Sequence, residues 1–251
     1  MTTPSHDEVP GLDDGYFDRW NYAGRSLSRF SMYGVARRYY AALVRRFAPA
    51  GGSERTLVEL GCGLGHLLAL LQDDFRCTGV DLLQRSVDAS REIAPRAEVR
   101  RGPAEDLASF AAGSLDVVVA LHLVEHLVDP QVVLRSAASA LRPGGVLLFA
   151  TPNPEYSLRR RKDPATDAIG IDPTHVNCQP PPVWRQWCTD AGLTVERQFG
   201  DGLWDVPYVP AVPALVQKAV FGLPAMAQVL TSRTFVPVRH GVNQVVIARR
   251  R

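Results

Sequence analysis

The stretch VELGCGLGHLLALL, from Val58 to Leu71, combines three local patterns in one short run. It begins as an apolar run typical of a buried strand, passes through three glycines at alternate positions, and continues with helical spacing of leucines. Glycine permits a positive φ angle and lets the backbone approach a ligand closely. A helix that begins at such a turn directs its free N–H groups at a negatively charged group. The stretch therefore predicts a strand, a ligand-binding turn and a helix.

Outward from this stretch, short apolar strands alternate with amphipathic helices. Predicted strands cover residues 55–60, 76–81, 97–102, 114–122, 146–152, 193–199 and 243–250, and predicted helices cover 26–47, 65–72, 85–94, 129–141 and 183–192. Residues 142–145, RPGG, are predicted to form a turn. This alternation favours an α/β fold, a doubly wound and mostly parallel sheet with helices on both faces.

Two segments interrupt the alternation. Residues 152–182 are rich in proline and loop-like, and residues 203–240 form an apolar insert punctuated by prolines. We expect residues 1–24 to be a flexible segment and residues 25–251 to be one domain, with both interruptions serving as acceptor-binding loops and lid. A helix lying on a membrane surface at residues 212–230 is an alternative to simple packing of the lid. The basic run at residues 159–162 is expected to be a solvated face or an anion site.

Composition excludes several classes of protein. The 28 basic and 26 acidic residues leave a net charge of +2, which gives no general attraction to nucleic acid or to membranes. The four cysteines form no C-x-x-C pair, so reduced thiols are expected. The acidic, proline-rich start of the sequence is not expected to be a signal peptide, and no uninterrupted apolar run reaches 18 residues. We therefore expect a cytoplasmic protein with no nucleic-acid partner, and its oligomeric state stays open.

The spacing of the glycines and the two flanking acids limits the class of ligand that the turn is expected to bind. A dinucleotide-binding turn reads G-x-G-x-x-G, whereas this chain reads G-x-G-x-G and has His66 at the position of the third dinucleotide glycine. Glu59 precedes the turn, and Asp81 ends the second strand 20 residues after Gly61. A carboxylate at that position is suited to accept both hydroxyls of a ribose. The pattern indicates a nucleoside ligand other than a dinucleotide.

This combination resembles the class I S-adenosylmethionine (SAM)-dependent methyltransferases. The similar segments are VELGCGLGHLL, GVDLL, RGPAEDL, SLDVVVALHLVEHLVDP and LRPGGVLLFATPN, and the resemblance covers roughly residues 55–200 together with the last strand. It implies a seven-stranded sheet whose final strand is antiparallel, and SAM as the cofactor. Many relatives have Asp where this chain has Pro103, so the adenine contact is expected to shift to Glu105 or Asp106.

The resemblance also implies the residues that contact the cofactor. Glu59 would orient the turn or the ammonium group of SAM, Asp81 would hold the ribose, and the Ala104 N–H and Glu105 would contact adenine. The full expected set is Glu59, Gly61, Cys62, Gly63, Gly65, Asp81, Leu82, Ala104, Glu105 and His122.

Three further residues are expected to carry the chemistry. Glu125 and His126 follow the fourth strand, and His175 lies in the loop after the fifth, so adjacent strands would bring them together. A hydroxyl is a poor nucleophile, and an imidazole has a suitable pKa to remove its proton. We therefore predict transfer to oxygen, with His126 or His175 as general base beside Glu125 or Asp172.

A metal site is an alternative interpretation of the same residues. Glu125, His126 and His175 resemble the magnesium ligands of small-RNA 3′-terminal 2′-O-methyltransferases, although His122 replaces the first Glu of that motif. The EH pair before a D-P helix start also resembles ubiquinone-type O-methyltransferases. A further alternative is that Glu125 and His126 only shape the turn into the next helix.

The sequence thus predicts a SAM-dependent methyltransferase that acts on a hydroxyl of a small molecule, such as a sugar, an oligosaccharide or a secondary metabolite. Two alternatives stay open: transfer to nitrogen or carbon of a small molecule, and an inactive SAM-binding or partner-binding protein.

Overall fold

The computed structural model describes residues 27–28, 30–51 and 54–251, so the expected flexible segment 1–24 lies outside the described residues. Seven strands form one sheet in the order β3-β2-β1-β4-β5-β7-β6. The strands are β1 (Thr56–Leu60), β2 (Arg76–Asp81), β3 (Glu98–Arg101), β4 (Leu115–Leu121), β5 (Leu141–Pro152), β6 (Leu193–Gly200) and β7 (Asn243–Arg250).

The direction of the strands confirms the predicted fold class. Strands β3, β2, β1, β4 and β5 pair in parallel, and β7 is antiparallel to both β5 and β6. The chain passes from β5 to the edge strand β6 and then returns to place β7 between them. The carboxyl ends of β1, β2, β4 and β5 therefore meet at one edge of the sheet, where ligands bind in open α/β folds.

Helices cover both faces of this sheet. They are α1 (Met32–Phe47), α2 (His66–Leu71), α3 (Gln84–Ile93), α4 (Pro130–Ala140), α5 (Pro181–Asp190) and α6 (Ala214–Leu230). Alternate residues of the fully buried strand β4 enter two separate cores: Val117 and Val119 join the core beneath α1 and α2, and Val118 and Ala120 join the core beneath α4 and α5. The period-two alternation of strand side chains produces this division.

Helix α1 begins later than the predicted start at Ser26. The Ser31 hydroxyl accepts a hydrogen bond from the Gly34 N–H at 3.1 Å, which caps the first turn and places the first helical residue at Met32. The apolar spacing that predicted the helix continues on the N-terminal side of Met32. A hydrophobic pattern alone does not show where a capping side chain begins the helix.

The predicted turn at residues 142–145 is instead part of β5. Leu115 pairs with Leu141 and Val117 pairs with Val146, so five residues of β5 advance against two of β4. The extra residues form a bulge, and Gly144 within it has a φ angle of +80°. The sequence indicated turn-forming residues here, but it did not show that these residues lie inside a continuous strand.

The two interrupting segments carry short helices of their own. Residues 203–240 contain α6, which continues through Pro224.

The basic run 159–162 is neither a solvated face nor an anion site as a whole, because the Lys162 ammonium is buried 3.2 Å from Asp205 and Arg159 bonds Asp167 at 3.0 Å. All four cysteines are free thiols, as expected. No helix among residues 27–28, 30–51 and 54–251 is long and apolar enough to cross a membrane.

Candidate active site

The glycine turn between β1 and α2 is held in a left-handed conformation. Gly61, Gly63 and Gly65 have φ angles of +64°, +53° and +76°, which side chains rarely adopt. The Cys62 N–H donates to the Val80 carbonyl at 3.1 Å, and the Cys62 carbonyl accepts from the Gly65 N–H at 3.0 Å. The Cys62 side chain is buried toward Ser90 and its backbone groups close the turn, and the cofactor contact predicted for Cys62 stays a prediction.

Asp81 braces this turn from the end of β2. Its Oδ2 accepts from the Gly63 N–H at 2.9 Å, and its Oδ1 accepts from the Leu83 N–H at 3.0 Å. The Ser90 hydroxyl donates to the Gly63 carbonyl at 2.7 Å from the other side. Burial raises the pKa of Asp81, and these backbone N–H groups oppose that rise. A carboxylate has lone pairs beyond these two bonds, so a ribose contact at Asp81 stays a prediction.

Glu59 presents an unsatisfied acid directly before the turn. The residue is buried, and its Oε2 has no hydrogen-bond partner among the described residues. Burial raises the pKa of Glu59 to about 8, against a smaller opposing effect of Arg37. A buried acid of this kind is stabilised when a cationic group binds beside it. The chain therefore fits the ammonium group of an amino-acid ligand at Glu59.

Helix α1 contacts the first residue of α2, next to the glycine turn. The Tyr33 hydroxyl lies 3.3 Å from His66 Nδ1, and the two rings meet edge to face at 5.4 Å. His66 is the first residue of α2, immediately after the glycine turn. This contact places α1 beside the glycine turn.

The loop after β3 lies next to Asp81. The Gly102 N–H donates to the Asp81 carbonyl at 3.0 Å, and Arg101 donates to the Leu82 carbonyl at 3.0 Å. Ala104, two residues further on, is buried. The adenine contacts expected of Ala104 and Glu105, and the contact expected of Leu82, stay predictions.

His122 occupies a strained position just after β4, which ends one residue earlier than predicted. Its φ angle is +54°, and its N–H donates to the Ala150 carbonyl of β5 at 2.8 Å. Its Nδ1 lies 3.4 Å from Glu125 Oε1. A non-glycine residue in this region costs about 1–3 kcal/mol, and such strain is concentrated at functional sites.

His126 is buried, and its tautomer is fixed by Thr174. Its Nδ1 lies 2.9 Å from Thr174 Oγ1 and 3.1 Å from the Thr174 carbonyl. The Thr174 hydroxyl donates its own proton to Asp172 Oδ1 at 2.6 Å, so both Thr174 oxygens are acceptors toward the ring. Nδ1 is therefore the protonated nitrogen, and Nε2 carries the lone pair. Burial lowers the pKa of His126, which favours the neutral ring.

His175 is arranged in the same way beside it. Its Nδ1 donates to the Ile169 carbonyl at 2.9 Å, and its Nε2 lies 3.7 Å from Asp172 Oδ2. The His126 and His175 rings are 5.0 Å apart. Glu125, His126 and His175 each offer one ligand atom within 4.8 Å of the other two. The loops after β4 and β5 thus bring together the three residues predicted for the chemistry.

Glu125 supplies the negative charge of this cluster. The residue is fully buried, and neither carboxylate oxygen has a hydrogen bond of good geometry among the described residues. Burial raises the pKa of Glu125, but the neighbouring His122, His126 and His175 outweigh burial and hold the pKa below its usual value. A buried carboxylate in such surroundings is stabilised by a proton on an imidazole or by a bound cation.

Sequence reasoning missed the residues that support the predicted ones. Thr174 was passed over between Asp172 and His175, although an Asp two residues before a Thr is a common local hydrogen-bonding pattern. Asp201 follows β6; burial raises its pKa to about 6, and the charge of His122 opposes that rise. The charge of Arg37, on α1, opposes the rise in the pKa of Glu59. Only the packing of distant segments reveals the last two.

A family model described as a methyltransferase domain matches residues 34–198, more than half of the chain. The chain belongs to this methyltransferase family. The match begins in α1 and ends within β6, so it includes the glycine turn, Asp81 and the histidine cluster.

Comparison with individual proteins finds further methyltransferases that are similar to this chain. It is 36% identical over 104 residues to the ubiquinone biosynthesis O-methyltransferase of Bordetella avium, covering 39% of this chain and 43% of the relative. The relative of the same name from Xanthomonas axonopodis pv. citri is 32% identical over 139 residues, covering 53% and 56%. The matched part spans about half the length of these relatives. A SAM-dependent methyltransferase structure from Archaeoglobus fulgidus has a TM-score of 0.56 at 21% identity, covering 85% and 94%, and it shares the fold.

Proposed function

We propose that this methyltransferase transfers the methyl group of SAM to a hydroxyl of a small molecule, with His126 as the general base. The observation that carries the proposal is the tautomer of His126: Thr174 holds the proton on Nδ1, so Nε2 is the basic nitrogen of this buried ring. A nucleophile as weak as a hydroxyl needs such a base, whereas a neutral amine does not.

The cofactor side of the site supports SAM. The three glycines hold the turn at positive φ angles, Glu59 is a buried acid that an ammonium group would stabilise, and Asp81 braces the turn from the end of β2. When bound, SAM supplies an electrophilic methyl group on a sulfonium. The protein must then hold the acceptor oxygen in line with that methyl group and exclude water.

His126 is suited to move the acceptor proton. During transfer of the methyl group from sulfur to the acceptor oxygen, Nε2 of His126 would accept the hydroxyl proton, and the electrons of the broken methyl–sulfur bond would stay on sulfur. The imidazolium produced is stabilised by the Nδ1–H bond to Thr174, by Asp172 behind it, and by the negative charge of Glu125. His175 lies beside this ring and positions the loop through Ile169.

A small buried cluster of apolar and aromatic side chains packs next to the loop that carries His175. The carbonyl that holds His175 belongs to Ile169, which is part of a cluster with Tyr156, Tyr208 and Phe221. The aromatic rings of this cluster meet edge to face. The curated relatives are named O-methyltransferases, which favours oxygen over nitrogen or carbon.

The direct test replaces His126 by Gln and compares it with His240→Gln, which lies beside Ser157 away from the cluster. We expect His126→Gln to lower kcat about 100-fold or more while leaving SAM affinity unchanged, and His240→Gln to keep full turnover. Turnover by His126→Gln equal to that of the unaltered protein on its acceptor would exclude His126 as the base.

A bound divalent cation is a second candidate, favoured by the convergence of Glu125, His126 and His175 within 4.8 Å. The donor set fits poorly with Mg²⁺, which prefers oxygen ligands, and fits better with zinc, manganese or iron. Elemental analysis of the purified protein, before and after a chelator and in Glu125→Gln, would test this. Bound metal that Glu125→Gln loses, with turnover that the chelator abolishes, would support a metal-assisted reaction.

A further inference from the structure

Helix α6 is oriented with its amide side chains inward. Gln217 and Gln228 are its buried residues. Gln217 Oε1 accepts from the Tyr208 and Val209 N–H groups at 2.7 and 3.0 Å, and its Nε2 donates to two backbone carbonyls. Gln228 donates to the Gly200 carbonyl at 2.9 Å and accepts from the Val236 N–H at 2.8 Å. These bonds fix the rotation of the helix about its own axis.

The opposite side of α6 is a continuous apolar stripe, here called the outer face. Its members are Leu215, Val216, Ala219, Val220, Leu223, Met226 and Leu230. At 100° per residue they occupy an arc of about 140°, along a helix about 25 Å long. Leu215, Leu223 and Leu230 are 79%, 66% and 76% exposed. An exposed apolar surface of this extent marks a place where another apolar body binds.

We propose that the outer face of α6 lies on the surface of an anionic lipid membrane. The charges around it carry this choice of partner. Residues 206–239 contain no Asp or Glu but include Lys218, Arg233 and Arg239. Helix α1, which contacts α6, also lacks acids and includes four arginines, of which Arg45 is paired with Asp74 at 2.8 Å. Arg46 of α1 bonds the Ser232 carbonyl next to the end of α6 at 3.1 Å. An apolar stripe bordered by cations matches acyl chains bordered by anionic headgroups.

The same charges disfavour a second copy of this chain as the partner. In a two-fold symmetric pair the same patch faces itself. The cations of both copies would then be brought together, and neither patch offers a carboxylate to pair with them. An anionic lipid surface has no such repulsion.

The inner side of α6 packs on the cluster next to His175. Phe221 meets Tyr208 edge to face at 5.4 Å, and both belong to the cluster of Ile169, whose carbonyl bonds His175. A protein seated on a membrane through α6 would hold this cluster and the neighbouring His175 about one helix diameter from the lipid, within reach of an acceptor dissolved there. This second step rests on the proposed function, whereas the membrane contact does not depend on the chemistry of the site.

The test is co-sedimentation of the full chain with vesicles, without SAM or acceptor. Vesicles of phosphatidylcholine containing about one quarter phosphatidylglycerol are compared with pure phosphatidylcholine, in about 0.1 M and about 1 M salt. The variant Leu215→Glu/Leu223→Glu alters the outer face, and Ile93→Glu is the control, since Ile93 is an exposed apolar residue at the end of α3.

We expect the unaltered chain and Ile93→Glu to bind the anionic vesicles, and the double variant to bind at least about tenfold more weakly. High salt and pure phosphatidylcholine should also weaken binding. Absence of vesicle binding by the unaltered chain overturns the proposal. If size-exclusion chromatography with light scattering then shows a dimer that the double variant dissociates, the partner of the outer face is a second copy. Loss of methyl transfer by His126→Gln with vesicle binding intact separates this proposal from the catalytic one.

Discussion

Glu59 has a buried carboxyl group with one oxygen that no hydrogen bond satisfies, and burial raises its pKa to about 8. In the free protein at pH 7 the folded state therefore holds a proton that the unfolded chain, with an ordinary pKa near 4.5, has lost. The free energy of unfolding should fall as pH rises between these two values, because the folded state binds more protons.

The first prediction concerns the proton on Glu59. Binding of SAM places an ammonium group beside the carboxyl and should release about one proton at pH 7, so affinity rises with pH toward about 8. Calorimetry in buffers of different ionisation enthalpy measures this release. Glu59→Gln should bind more weakly and release no proton. Equal proton release by both proteins would show that Glu59 does not meet the ligand.

Thr174 is predicted to act as a positioning residue for His126. Thr174→Val removes the hydroxyl that accepts from Nδ1 and donates to Asp172, but it keeps the shape of the buried side chain. We expect kcat to fall about tenfold with KM little changed, because the Thr174 carbonyl still accepts from the ring. Thr174→Ser should restore most of the rate. A loss of rate in Thr174→Ser equal to that in Thr174→Val would contradict this role.

At the scale of elements, the turn between β1 and α2 depends on close packing against α3. A Cβ added at Gly65 would lie 2.8 to 3.0 Å from Ser90, including its Cα, and the φ angle of Gly65 is +76°. Gly192, at the end of α5, has a similar φ angle of +82° with open space around it. Comparing the same substitution at the two glycines therefore separates the cost of backbone strain from the cost of overlap with a neighbouring helix.

Gly65→Ala is predicted to lower the free energy of unfolding more than Gly192→Ala does. Both variants pay the left-handed penalty of about 1 kcal/mol, but only Gly65→Ala must also displace the backbone of α3. Denaturant unfolding should show the larger loss for Gly65→Ala, and SAM affinity should fall in that variant alone. Equal losses of stability, or unchanged SAM affinity in Gly65→Ala, would contradict this picture of the turn.

Much of the element order could be predicted because local patterns determine it. The strands from β1 to β5 are apolar runs next to glycine, proline or polar caps, and their alternation with helices leaves few topologies. The start of α1 and the bulge in β5 could not be placed, since a cap by Ser31 and a register shift depend on three-dimensional hydrogen bonding. His126 and His175 were predicted to converge, but the tautomer set by Thr174 required the structure.

At the scale of the whole molecule, three segments distant in sequence meet at one edge of the sheet. Helix α1 covers the glycine turn, the loops after β4 and β5 bring the histidines together, and α6 packs beside the aromatic cluster next to His175. The orientation of α6 could not be predicted from its sequence. Its leucines would ordinarily be expected to face the core, whereas the backbone groups that Gln217 and Gln228 satisfy draw the amides inward instead.

The most direct test of the account is the position of a labelled methyl group. The full chain is incubated with SAM labelled on its methyl carbon and with hydroxylated aromatic rings or sugars, offered in solution and in lipid vesicles, and the products are examined by mass spectrometry and NMR. The account predicts label on an oxygen of the acceptor, and loss of that product in His126→Gln. Label on nitrogen or carbon, or binding of SAM with no transfer to any hydroxyl, would contradict it.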